Sequence, residues 1–117
     1  MKKMKLFAVW VLLSGMFASC AHGPSLHSFG PYSEAEAFYK KGDYPKAIEK
    51  YQEYLTANPQ GNLAAIAEYY IAKSYLVSGD KIRARKSFEQ VVKRYPKTSW
   101  ADFALEQIDM LQDTSKV

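Results

Sequence analysis

Gly42-Asp43-Tyr44-Pro45-Lys46-Ala47-Ile48-Glu49-Lys50-Tyr51 and Gly79-Asp80-Lys81-Ile82-Arg83-Ala84-Arg85-Lys86-Ser87-Phe88 share one pattern at an offset of 37 residues. Glycine closes a helix, because it takes φ > 0 without a Cβ penalty. The aspartate after it caps the next helix, and Pro45 sits in a first turn that has no N–H to lose. Alanine then precedes an aromatic by four residues, which places both on one helix face. The same offset maps Tyr54 to Val91, Leu55 to Val92, Pro59 to Pro96, Ala64 to Ala101, Ile66 to Phe103, Ala67 to Ala104 and Ile71 to Ile108.

Working outward, five helices follow. Ser33 with Glu36 reads as a capping box opening the first. The second runs from Asp43 to Asn58-Pro59, with Ala47, Ile48, Tyr51, Tyr54 and Leu55 on one face. Asn62 is expected to begin the third, which carries Ile66, Ala67, Tyr70, Ile71, Ala72 and Tyr75 to Gly79. Asp80 caps the fourth, with Ala84, Phe88, Val91 and Val92 inward and Tyr95-Pro96 as its end. Ser99 and Asp102 open a fifth through Trp100, Phe103, Ala104, Ile108 and Leu111. Ala35, Ala47, Ala72 and Ala84 fall where paired helices approach closely, beside Phe38, Tyr51, Tyr75 and Phe88.

This arrangement resembles the tetratricopeptide repeat, whose pattern is W-x₂-L-G-x₂-Y, then A-x₃-F, then a closing Pro. Ile71-Ala72-x₂-Tyr75, Ala84-x₃-Phe88 and Pro96 match it in the second unit. Ala35-x₂-Phe38, Ala47-x₃-Tyr51 and Pro59 match it in the first. Glu68 stands where Trp is usual, and Glu34 occupies an aliphatic position. The resemblance implies an all-α fold: a short right-handed α-solenoid of two helix-turn-helix repeats plus a C-terminal capping helix, over residues 33–113, with 114–117 as a tail. The period exceeds the usual 34 by about one helical turn, assigned to the start of the third helix. That variant resembles repeats of Gram-negative envelope proteins. Examples are the lipoprotein of the outer-membrane β-barrel assembly machinery and the C-terminal domain of the Tol-Pal-associated cell-division coordinator.

The N-terminal part reads as an address. Three lysines, Lys2, Lys3 and Lys5, precede an uncharged run over residues 6–17. That is shorter than the roughly 20 residues of a membrane span and suits the core of a removable signal. Phe17-Ala18-Ser19-Cys20 resembles a bacterial lipoprotein box, with Phe17 in place of the usual branched aliphatic. The resemblance implies a signal peptide over 1–19, a membrane held through an acyl chain on Cys20, and a flexible tether over 20–32. Ala21 after the cysteine implies delivery to the periplasmic face of the outer membrane. The tether holds Gly, Pro and Ser with a mean reach of roughly 18 Å. His22 and His27 lie in it without a third ligand and read as solvated residues rather than a metal site.

Length and composition bound the rest. The chain has 117 residues, 48% apolar and 24% charged, which suits one small globular domain. One cysteine excludes an internal disulfide framework. The net charge of +4 falls to +1 without the three leader lysines, so no nucleic-acid partner is implied. The histidines lie in the tether, the cysteine is expected to be acylated, and no phosphate loop occurs. No enzyme and no cofactor are therefore expected.

Stacked hairpins leave their first helices on a concave wall. The family pattern places Tyr32, Glu36, Tyr39 and Lys40 on that groove from the first unit. It adds Ile66, Tyr69, Lys73, Leu76 and Val77 from the second, and Glu106 and Met110 from the last helix. Tyrosines mixed with charges suit a peptide segment of another envelope protein. Some relatives grip a C-terminal carboxylate with a Lys/Asn/Arg clamp. Tyr69 and Lys73 replace the expected Lys and Asn, so such capture is not expected. Lys81, Arg83, Arg85, Lys86, Lys93, Arg94 and Lys97 form a basic run opposed only by Glu89. It is either a solvated face or a contact for anionic headgroups, an acidic partner or wall polymer. The expected function is thus a lipid-anchored scaffold in envelope assembly. The other reading is a structural lipoprotein that forms a homodimer or ties wall to membrane.

Overall fold

The computed structural model describes residues 30–116. The leader, Cys20 and the tether up to residue 29, with His22 and His27, lie outside the described residues. Five helices follow: α1 Pro31–Lys40, α2 Tyr44–Ala57, α3 Ala64–Val77, α4 Lys81–Arg94 and α5 Ser99–Asp113, then a 3₁₀ turn, Thr114–Lys116. No strand occurs among the described residues. Each helix packs on its neighbours in sequence, and α3 also touches α5. The fold is a short all-α solenoid in which α1, α3 and α5 form one layer and α2 and α4 the other.

The two hairpin turns are copies of each other. Gly42 donates to the Tyr39 carbonyl at 3.0 Å and Asp43 to Phe38 at 2.9 Å. Gly79 donates to Leu76 at 3.1 Å and Asp80 to Tyr75 at 2.9 Å. This is the Schellman pattern, and it needs the left-handed φ of +78° at Gly42 and +90° at Gly79. Asp43 and Asp80 then accept from the amides of Lys46 (3.4 Å) and Arg83 (3.0 Å). One aspartate thus closes one helix and opens the next.

Two helix starts, those of α1 and α3, differ from the sequence reading, while α5 opens at Ser99 as read. α1 begins at Pro31 with Gly30 as its N-cap, so Ser33 lies inside the helix and no capping box forms there. Proline at the first position brings a helical φ of its own and moves the start upstream. α5 is capped by Thr98, whose hydroxyl accepts from the Ala101 amide at 3.3 Å, and Ser99 is its first residue. α3 starts at Ala64 rather than Asn62, behind the uncapped Leu63. The offset explains the difference: Gly61 stands where Thr98 stands and has no oxygen to cap with. Part of the extra turn expected in α3 is therefore loop, closed by Gly61 N–H to Asn58 O at 3.2 Å.

Two apolar clusters share α3. The first joins Tyr32, Ala35, Ala47, Tyr51, Ala67 and Ile71. The second joins Ala72, Ala84, Phe88, Val91, Ala104 and Ile108. Tyr75 packs against both. Ala35, Ala47, Ala72 and Ala84 are all fully buried, as expected for close crossings. Buried Ser74 is satisfied by donating to the Tyr70 carbonyl at 2.6 Å.

Glu68, where the family has Trp, is only 8% exposed. Its carboxylate meets Arg94 Nη1 at 3.4 Å, which ties α3 to the end of α4. It lies in a cleft of about 530 Å³ walled by Gln52, Leu55 and Thr56 of α2 and Ser87 of α4. Burial raises the Glu68 pKa above its usual 4.5, and Arg94 only partly offsets that.

Two outcomes are expected. Ala84→Leu overpacks the α3–α4 crossing and costs about 1–3 kcal/mol in urea denaturation, whereas Leu at the exposed Ala37 stays within about 0.5 kcal/mol of the native chain. Glu68 retains a proton in the folded chain that the unfolded chain has already lost, so its contribution to stability falls as pH rises from about 4.5 through the raised value. Glu68→Gln should therefore gain stability relative to the native chain between about pH 4 and pH 7.5. A gap that stays constant across that window contradicts the assignment.

Candidate functional site

The exposed sides of α1, α3 and α5 form one face, because their other sides are committed to α2 and α4. Along α3, Ile66, Tyr69, Tyr70, Lys73, Leu76 and Val77 recur at spacings of three and four and stay at least partly exposed. A run of rings crosses this face. Tyr44 lies edge-on to Tyr39 at 5.4 Å between centroids, and Tyr39 to Tyr70 at 5.0 Å. Tyr70 adjoins Tyr69 at 5.8 Å. Tyr69 then meets Trp100 at 5.2 Å and Phe103 at 6.4 Å. Trp100 and Phe103 pack edge-on at 5.6 Å. Rings from α1, α2, α3 and α5 thus become one aromatic strip that reaches from α1 to α5.

The strip is half open to solvent. Phe103 is 44% exposed, Val77 51% and Met110 53%, while Tyr39, Tyr69, Tyr70 and Trp100 are half-buried. Burial raises the pKa of the Tyr39 phenol, with Tyr44 and Tyr70 adding to the effect. It raises that of Tyr69 too, helped by Tyr70, Tyr39 and Glu106. Both phenols therefore stay neutral at physiological pH and can donate as well as accept. Lys40 and Glu106 are exposed at opposite ends of the strip, and Glu36 and Lys73 are half-buried beside it. Flat rings with scattered charges suit an extended peptide, since each ring offers apolar area and the phenols add hydrogen bonds.

The expected groove is largely brought together, with one correction. Tyr32 is 7% exposed and belongs to the core. It is wedged between α1 and α2, edge-on to Tyr51 at 5.7 Å and Tyr54 at 5.3 Å. Burial first, then Glu36, pushes its pKa up to about 12. It belongs to the first apolar cluster, where the α2 tyrosines cover its ring. Leu76 is half-buried and packs on the second core cluster. Tyr39 and Tyr69 join the run of rings, Lys40 and Glu106 are exposed, and Glu36 and Lys73 are half-buried.

Sequence reasoning passed over Tyr70, Trp100 and Phe103. The signal was present for Phe103: the 37-residue offset maps Ile66, a groove position, onto it. Tyr70 and Trp100 read as core because their spacing matches the buried stripe. They sit at its edge.

The basic run also needs correcting. Lys81, Arg83, Arg85, Lys86, Lys93 and Arg94 are all exposed. Arg85 pairs with Glu89 at 3.2 Å, but Arg83 also pairs with Asp80 at 3.5 Å and Arg94 with Glu68 at 3.4 Å. Glu89 is thus one of three opposing carboxylates, with Asp80 supplied by the cap of α4 and Glu68 by α3. Among the described residues no group of three or more His, Cys, Asp or Glu side chains is placed to hold a metal ion. No described helix is long and apolar enough to cross a membrane.

Known proteins give the same outline. No curated protein matches the chain. Tetratricopeptide-repeat profiles match residues 32–62 and residues 67–98. The first span holds α1 and α2, the second α3 and α4, and α5 follows both. With a separate match on each of its two helical hairpins, the chain is a tetratricopeptide-repeat protein.

Proposed function

We propose that this chain is a lipid-anchored scaffold that binds a segment of another envelope protein on the α1–α3–α5 face. The aromatic strip from Tyr39 through Tyr70 and Tyr69 to Trp100 and Phe103 is the observation that carries this reading. Tetratricopeptide repeats in general mediate protein–protein contacts, which supports a binding role without chemistry. The anchor rests on the sequence from Met1 to Cys20: a cationic start, a short apolar run, then small residues before a lone cysteine. Ala21 favours the periplasmic face of the outer membrane. Several acyl chains on Cys20, at about 0.8 kcal/mol per buried CH₂, would hold the domain firmly, and the tether would set it off the bilayer. The role in this reading is assembly or maintenance of the envelope.

Two measurements test it. A photo-crosslinking side chain at Lys73 or Glu106 should capture a defined envelope protein in cells, and the same group at Glu49 on α2 should not. Tyr69→Ala with Lys73→Ala should weaken that capture by about 2 kcal/mol in affinity, the size of an interface hot spot. Equal capture from α2, or no effect of the double substitution, removes the face assignment. Mass spectrometry of native material should find Cys20 acylated at a new N-terminus. An intact leader with a free thiol removes the anchor.

A further inference from the structure

We propose that the outer side of α4 docks on an anionic lipid surface. α4 holds six basic residues and one acidic one over Lys81–Arg94. Ala84, Phe88 and Val91 turn inward, so the outward stripe is Ile82, Lys86, Glu89 and Lys93, at spacings of four, three and four. Lys81 and Arg85 flank it. This stripe points away from the layer that bears the aromatic strip.

The charges on α4 divide into two kinds. The three arginines are tied to carboxylates: Arg83 to Asp80, Arg85 to Glu89 and Arg94 to Glu68. Lys81, Lys86 and Lys93, with Lys97 in the following turn, form no ion pair among the described residues. The unneutralised charge is therefore entirely lysine, on long stems with hydrated heads. Ile82 lies among these residues at 86% exposure, the highest of the large apolar side chains described. An isolated isoleucine ringed by Lys81, Arg83, Arg85 and Lys86 has no apolar neighbours to form a protein-binding patch. It does match a helix lying on a headgroup layer, where the apolar residue enters the acyl boundary and the lysines meet phosphodiesters.

Two other occupants fit less well. Interface cores between proteins are depleted in lysine, and lysine supplies all the unpaired charge of this face. A second copy could offer its α5, which bears Asp102, Glu106, Asp109 and Asp113 without a basic residue. Those four acids share one side of α5 at spacings of four, three and four, but an α4-to-α5 contact is head-to-tail and propagates into a ring or an open filament, an outcome that the concentration series reads. A fluid lipid surface requires no shape match to a convex rod about 21 Å long. The inference is independent of guest binding, because the two faces belong to different layers.

The test uses the full chain carrying Cys20→Ser, so that a single introduced cysteine takes an environment-sensitive fluorophore. Ile82→Cys places the label on the stripe, and Met110→Cys places it on the opposite layer. Vesicles of phosphatidylethanolamine with about one-third phosphatidylglycerol are compared with purely zwitterionic vesicles. The label at 82 should shift to the blue on the anionic vesicles only, and the label at 110 should not. The response should vanish at about 0.5 M salt, where screening is strong. Adding Lys86→Glu and Lys93→Glu should weaken the partition about 30-fold, taking a roughly fivefold factor per lost basic residue. Ile82, Lys86, Lys93 and Met110 are all exposed, so folding is not at stake. Four results overturn the proposal: equal shifts at 82 and 110, an equal response to zwitterionic vesicles, a response to poly-glutamate but not to vesicles, or a shift with protein concentration alone. The third would assign α4 to an acidic protein, and the fourth to a second copy.

Discussion

Every contact in this structure depends on how closely the paired helices approach at their alanines. Ala35, Ala47, Ala67, Ala72, Ala84 and Ala104 are all fully buried, and they recur in both hairpins and in α5. A methyl group at a crossing lets the backbones draw together and leaves the rings beside it to fill the remaining volume. Tyr51 and Phe88 take that place in the two units, at 1% and 0% exposure. α3 experiences the constraint from both sides, since one apolar cluster ends on it and the next begins. It is therefore the least amphipathic of the helices, with alanine, isoleucine and tyrosine around most of its circumference.

That packing separates the molecule into two surfaces of different chemistry. The helices that lead each hairpin expose their rings, and those that return expose charge. The division follows from the turns. Because Asp43 and Asp80 each end one helix and cap the next, the connections are too short for a helix to choose another neighbour. Short antiparallel hairpins stacked in register place equivalent positions in line. Ile66 and Phe103 are such a pair, 37 residues apart and both on the layer of α1, α3 and α5.

Glu68 shows how a departure from the family pattern is accommodated. A tryptophan would fill the cleft between α2 and α4 with apolar surface. The glutamate leaves it open and polar, and Arg94 reaches across to its carboxyl at 3.4 Å, partly offsetting the cost of burial. The same arginine is thereby withdrawn from the basic run. Both features arise from one contact between residues 26 apart in sequence.

The sequence alone determined the number of helices, both glycine–aspartate turns, the alanine crossings and the repeat, because each rests on contacts within about four residues or on an offset visible by alignment. It placed Tyr39, Tyr69, Lys73 and Glu106 on the open face for the same reason. It misplaced the helix starts at Pro31 and Ala64, where competing starts within two residues differ by small local energies. Only the tertiary structure decided that Tyr32 is core, that Tyr70, Trp100 and Phe103 join the open strip, and which basic residues of α4 remain unneutralised. Those outcomes depend on which helix lies against a given side chain, and partners 19 to 34 residues away leave no periodic trace in the chain.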